Sequence, residues 1–155
     1  MASADAYLGA DAVAEALASG ALVVITGRVA DPSLFVGPML HAFGWSYDDY
    51  AKLAQATAAG HLLECAGQVT GGYFADPGVK DVPALARLGF PFADISAAGE
   101  VVIGKVAEAG GRVDVQTCSE QLLYEVDDPA AYITPDCILD MRDIGFREVA
   151  RDRIK

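Results

Sequence analysis

The stretch VVITGRVADPSLF, Val23 to Phe35, decides how this chain is read. Apolar β-forming residues run from Ala21 to Ile25, and glycine, arginine, aspartate and proline follow closely. A short continuous apolar run bounded by turn residues predicts a fully buried strand, ALVVIT. Asp31-Pro32 predicts a helix start, with aspartate as N-cap and proline at the first helical position, where its missing N–H costs nothing. That helix is expected to pass Leu34, Phe35, Met39 and His41 and to end at Gly44, bent or shortened at Pro38. The result is a β-loop-α unit.

Upstream, Asp11 to Ser19 reads as an Ala-rich helix closed by Gly20. Downstream, Ser46 and Asp49 form an S-x-x-D box opening a helix from about Tyr47 to Gly67, with Leu53, Ala54, Ala58, Leu62 and Cys65 on its apolar stripe. QVTGGYFADPG is too rich in glycine and proline for regular structure, and DVPALARLG reads as a short helix closed by Gly89. FADIS and EVVIGKV predict an antiparallel hairpin. RVDVQT then reads as a strand leading into the helix CSEQLLYEV, with Thr117 and Glu120 as a capping box. DCILDMRDIGF and EVARDRIK alternate as strands do, and that pattern runs to Ile154 without a turn or cap. The expected fold is α/β, a three-layer-like sheet with βα units and an antiparallel hairpin. Residues 1–155 are expected to be a single domain belonging to a larger α/β domain.

Composition narrows the function. A hydrophobic content of 53 % describes a globule with a real core, and no apolar run approaches the ~20 residues of a membrane span. The opening MASADAYLGADAV lacks the basic and apolar regions of a signal peptide, so the expected location is cytoplasmic. A net charge of -11 disfavours nucleic acid and anionic membranes as partners. Cys65, Cys118 and Cys137 show no CxxC or Cys/His ligand spacing and read as reduced, mostly buried thiols. No motif requires a cofactor or a metal.

Candidate site residues fall in two places. Strand-to-helix loops gather at the carboxyl edge of an open α/β sheet, where ligands usually bind. In the first loop Arg28, a guanidinium beside a helix N-terminus, suits a carboxylate or phosphate, unless it serves a structural pair with Asp31. Asp31 is a ligand contact or simply an N-cap, and Ser33 at the helix start completes this group. The second place is AGHLLECAGQVTGGYF. His61 lies on an apolar helix face with Glu64 three residues on and Cys65 one turn on, so it is a packed core histidine, a Cys–His dyad, a general acid–base group, or with Glu64 an H-x-x-E pair of metal ligands for which spacing fixes no third. Gly71 and Gly72, flanked by Thr70 and Tyr73, allow close backbone approach and exposed N–H donors, or are turn chemistry alone. The P-loop spacing is absent. His41, beside Pro38 and Trp45, reads as a packing residue.

The strings TGRVADPSL, GHLLECAGQVTGGYFADP and EQLLYEVDDPAAYITPD, in one unbroken order across nearly the whole chain, resemble the acyclic terpene utilisation family, AtuA, long catalogued as a domain of unknown function. The resemblance implies a soluble cytoplasmic protein of acyclic terpenoid and branched-acid breakdown, associated with acyl-CoA carboxylases and enoyl-CoA hydratases. It also implies a longer family protein of which this chain is an internal piece. It carries over no catalytic residues. Two functions follow as expectations. One is an enzyme performing a hydration, lyase or hydrolytic step on a branched acyl-CoA or free acid. There Arg28 would bind the anion, Gly71 and Gly72 would supply oxyanion donors, and His61 or Glu64 would move protons. The other is a non-catalytic binding or assembly module of an acyl-CoA carboxylase system. A homo-oligomer or larger complex is expected in either case.

Overall fold

One alanine-rich helix organises the structure, a computed structural model that describes residues 3–155. Met1 and Ala2, the start of the stretch read for a leader, lie outside the described residues. The helices are α1 (Asp11–Ala18), α2 (Ser33–Phe43), α3 (Tyr50–Leu63) and α4 (Val115–Leu122). The strands are β1 (Pro91–Ile95), β2 (Val101–Lys105), β3 (Tyr132–Ile133), β4 (Ile138–Leu139), β5 (Glu148–Ala150) and β6 (Arg153–Ile154). Strands β1, β2, β6 and β5 pair in that order as an antiparallel sheet, and β3 and β4 form a separate antiparallel hairpin. Helix α3 packs against α2, α4 and the sheet, and its Leu53, Ala56, Ala59, Leu62 and Leu63 are buried.

Small residues set how closely the helices cross. A methyl group at Gly37 of α2 would stand 2.6 Å from Val13 Cβ of α1. One at Gly60 of α3 would stand 2.7 Å from the Pro32 carbonyl oxygen at the start of α2. Both separations are far inside van der Waals contact, so the crossings require glycine. The second matters for function, because Gly60 immediately precedes His61.

The α/β class and the hairpin match the sequence reading. β1 and β2 pair in register from Pro91 with Lys105 to Ile95 with Val101. Helix α1 ends where expected, with Gly20 at φ +86, and α2 ends at a left-handed Gly44 and passes through Pro38 without interruption. Several expectations are corrected. ALVVIT is not a buried strand. Leu22 is 99 % exposed, Ile25 92 % and Val23 77 %, and among the described residues no backbone hydrogen bond joins 21–27 to another segment. A strand exists only through its neighbours, and here none is beside it. The chain pairs only further on, through an isolated parallel bridge between Leu8 and Val29. RVDVQT is not a strand either, because Asp114 caps α4. Its carboxylate accepts from the Thr117 N–H at 2.9 Å, and the Thr117 hydroxyl accepts from the Asp114 N–H. The capping box therefore begins at Asp114 instead of Thr117, and this draws Val115 and Gln116 into the helix. Neither expected βα unit forms.

Four further corrections follow from local bonding and packing. Asp31 makes no side-chain cap; the first N–H groups of α2 are met by the carbonyls of Ala30, Asp31 and Pro32. Asp49, not Ser46, caps α3, which starts three residues later than expected and ends at Leu63 before a 3-10 turn at Ala66–Gln68. DVPALARLG contracts to a 3-10 turn at Leu85–Arg87. His41 is exposed and does not pack; Trp45 takes the buried position, donating its indole N–H to the Ala97 carbonyl at 2.9 Å.

Replacing Gly60 with alanine tests the crossing. Helix propensity alone would stabilise the variant by about 1 kcal/mol. The clash with the Pro32 backbone is expected to reverse the sign, with a net loss of about 1–3 kcal/mol in urea denaturation.

Candidate functional site

The last turn of α3 carries His61 and Glu64, which the three-residue spacing puts on neighbouring positions of one face. His61 is 1 % exposed. Its Nε2 lies 3.1 Å from the Leu122 carbonyl at the end of α4, and because a carbonyl only accepts, Nε2 carries a proton. Nδ1 is therefore the nitrogen that can change state. It lies 3.2 Å from the Tyr132 hydroxyl on β3 and 3.3 Å from Glu64 Oε1. In the neutral ring Nδ1 accepts the Tyr132 O–H. In the imidazolium it becomes a donor, with the Glu64 carboxylate at hand to balance the charge. The rings of His61 and Tyr132 also meet, with centroids 4.9 Å apart. Thus H-x-x-E is a built pair.

The other Glu64 oxygen, Oε2, is buried and has no hydrogen-bond partner. A buried carboxylate oxygen without a partner is costly, so Glu64 is held in place by the rest of its surroundings and not by bonds of this oxygen. Glu64 forms part of the wall of a cavity of about 540 Å³ between α2, the turn after α3, and β1. The rest of that wall is Phe35, Pro38, Met39, Leu63, Ala66 and the run Phe90 to Ala93 with Ile95, so Glu64 is its single ionisable residue.

Burial, reinforced by the charges of Glu64, Asp31 and Glu125, raises the Tyr132 hydroxyl well above its ordinary range and holds it protonated. Burial, then Glu64 and Glu125, likewise raises Cys65, against a smaller opposing effect of a Gln121 hydrogen bond. A thiol pushed up in this way is a poor nucleophile, and the environment of Cys65 runs against the Cys–His dyad. Cys118, fully buried, is pushed up to about 12, chiefly by burial. All three cysteines are free thiols.

The remaining candidates are not gathered around this cavity. Arg28 pairs with Asp5 at 3.2 Å, not with Asp31; its side chain is 60 % exposed and lies 6.0 Å from the centroid of the Tyr7 ring. Asp31 is exposed. Ser33 is buried and donates its hydroxyl to the Asp136 carboxylate, which also accepts from the Ala10 N–H and so ties α1 and α2 to the loop before β4. Thr70 is buried, donating to the carbonyls of Gly67 and Gly89. The Gly71 and Gly72 N–H groups are engaged with the Gln68 and Gly67 carbonyls. Gly71, at φ +111, packs on Val82, and Tyr73 is exposed with its ring edge against Tyr124. Sequence reasoning missed Tyr132, which is 71 positions from His61 and carries no spacing signal. It also missed the cavity, whose one trace in the sequence is the aromatic and proline run GFPF, Gly89 to Phe92.

These features define an α/β protein with a buried imidazole–carboxylate pair at an apolar cavity. The family model described as acyclic terpene utilisation family protein AtuA matches residues 1–155, and the chain belongs to that family. No curated protein and no solved structure gives a significant match. Among the described residues, no group of three or more His, Cys, Asp or Glu side chains is placed to hold a metal, and no helix is long and apolar enough to cross a membrane.

The Tyr132 shift has a sign. Its folded value is raised above the ordinary ~10, so its contribution to stability is complete below pH ~10 and is lost as pH rises toward the folded value. Unfolding free energy measured from pH 8 upward should fall above pH 10, and Tyr132→Phe should flatten that part of the profile.

Proposed function

We propose that the chain acts on a branched-chain acyl-CoA or free organic acid of acyclic terpenoid catabolism, with Glu64 and His61 moving a proton at the substrate. The observation that carries this reading is the lone carboxylate on the wall of an apolar cavity, backed by a histidine with one fixed and one changeable nitrogen. A volume of about 540 Å³ falls within the range of small-molecule sites. Phe35, Met39, Leu63 and Phe90 offer a methyl-branched chain apolar contact from several sides. Hydration, lyase and hydrolytic steps each need a proton taken up or delivered. Glu64 would supply or take that proton once its carboxylate turns toward the cavity that its side chain borders, with His61 Nδ1 beside Oε1 and Tyr132 keeping the ring oriented. Arg28 has no part in this site.

The exposed run Leu22, Val23 and Ile25 favours a second reading, an assembly module that receives a partner strand. Edge segments of this kind are normally guarded by charge or proline, and residues 20–27 contain neither. Binding through this run and catalysis at Glu64 are compatible.

Glu64→Gln keeps the shape of the side chain and removes its acid–base capacity. Turnover of a branched acyl-CoA is expected to fall by about a hundredfold or more, with little change in melting temperature. An unchanged rate overturns the catalytic reading. For the assembly reading, Val23→Lys is expected to shift the chain to a smaller species in analytical ultracentrifugation, and identical sedimentation of both proteins overturns it.

A further inference from the structure

A second and larger hollow lies on another face of α3. Its volume is about 800 Å³, and it separates α3 from the β1–β2 turn, β6 and the chain before β5. The helix contributes Ala54, Ala58 and Leu62 to the wall, and the opposite side contributes Ile103, Phe146 and Ile154. The space exists because α3 presents methyl groups where larger side chains would fill it.

The mouth of this hollow carries an unusual charge arrangement. Arg147 and Lys155 exchange both backbone hydrogen bonds, Arg147 N to Lys155 O at 2.7 Å and Lys155 N to Arg147 O at 2.8 Å. They are therefore directly opposite across an antiparallel pair, and their side chains stand side by side. Like charges in this position repel. Both residues line the hollow, as does Lys52 on α3. Lys155 is met by Glu100 and Lys52 by Asp49, but among the described residues Arg147 has no carboxylate partner. Of the acidic residues at the mouth, Asp140 is taken up by Arg142, which bonds it at 2.9 and 2.6 Å. Asp143 is exposed and, among the described residues, has no ion-pair partner, so it works against an anion.

From this juxtaposition we infer a second ligand site, for an amphipathic anion whose carboxylate or related headgroup bridges Arg147 and Lys155 while its apolar chain enters along Ala54, Ala58 and Phe146. Lys155 already has Glu100 as a partner, so an anion there chiefly gives Arg147 the counter-charge it lacks, and the guanidinium can hold it by two parallel hydrogen bonds. The chain as a whole is strongly acidic, so such a ligand is held by this local pair and not by the general field. The site is independent of the Glu64 cavity, with which it shares no wall residue.

Decanoate, titrated calorimetrically into the whole chain with decan-1-ol as the neutral counterpart, tests the assignment. Decanoate is expected to bind, and decanol to bind about tenfold or more weakly, one tenfold step being the least that a charged hydrogen-bond pair contributes. Arg147→Met should weaken decanoate to a similar degree, Asp143→Asn should tighten it, and Ala58→Phe should remove it by filling the hollow. Ala93→Phe, which obstructs the Glu64 cavity instead, should leave this binding intact. The inference is overturned by absence of binding at millimolar decanoate, by equal affinity in Arg147→Met, or by binding lost in Ala93→Phe and kept in Ala58→Phe. Arg147 is on the surface, so its variant decides the matter even where Ala58→Phe does not fold.

Discussion

An imidazole removed from water has to find partners, and His61 finds them on three different elements. The Leu122 carbonyl comes from α4, the Tyr132 hydroxyl from β3 and the Glu64 carboxylate from its own helix. Removing the Tyr132 hydroxyl would leave Nδ1 of the neutral ring buried without a donor, at a cost of about 1–3 kcal/mol. That requirement couples the helical half of the molecule to the small β3–β4 hairpin. It also fixes the ring, since Nε2–H is committed to the Leu122 carbonyl while Nδ1 faces Tyr132 and Glu64. The bonds that satisfy His61 as a core residue are the same ones the proposed proton transfer would use, so the two readings do not compete.

The small residues of α3 set both its packing and the larger hollow beside it. Gly60 lets the helix approach the start of α2 closely, which places His61 under α4. Farther along, alanines at 54 and 58 leave space beside the sheet. The same helix thus borders a cavity with one acidic residue and another whose mouth holds a pair of cations. The two are chemically distinct because α3 turns different faces to them, with Glu64 on one and Ala58 on the other.

Local chemistry was readable in advance wherever it was sufficient. Gly20 and Gly44 end their helices because a left-handed backbone is easy for glycine, and FADIS–EVVIGK pairs as alternation predicts. Local chemistry failed where two solutions competed. Thr117 was a plausible N-cap, yet Asp114 three residues earlier caps more strongly, and the helix took in two residues that resembled a strand. ALVVIT failed for a different reason. Strand propensity describes a residue's fit to a sheet, and among the described residues no segment pairs with it.

Sequence alone determined the α/β class, the family, the hairpin and the neighbouring places of His61 and Glu64 on one helix face, because each depends on spacing within one element or on long contiguous strings. Tertiary structure decided the rest. It brought Tyr132 to His61, left Arg28 with Asp5 at the surface and engaged the Gly71 and Gly72 N–H groups in turns. It also enclosed Glu64 in apolar walls drawn from residues 35 to 95. The physical reason is that a cavity and a buried hydrogen bond belong to the space between elements, and no single segment encodes that space.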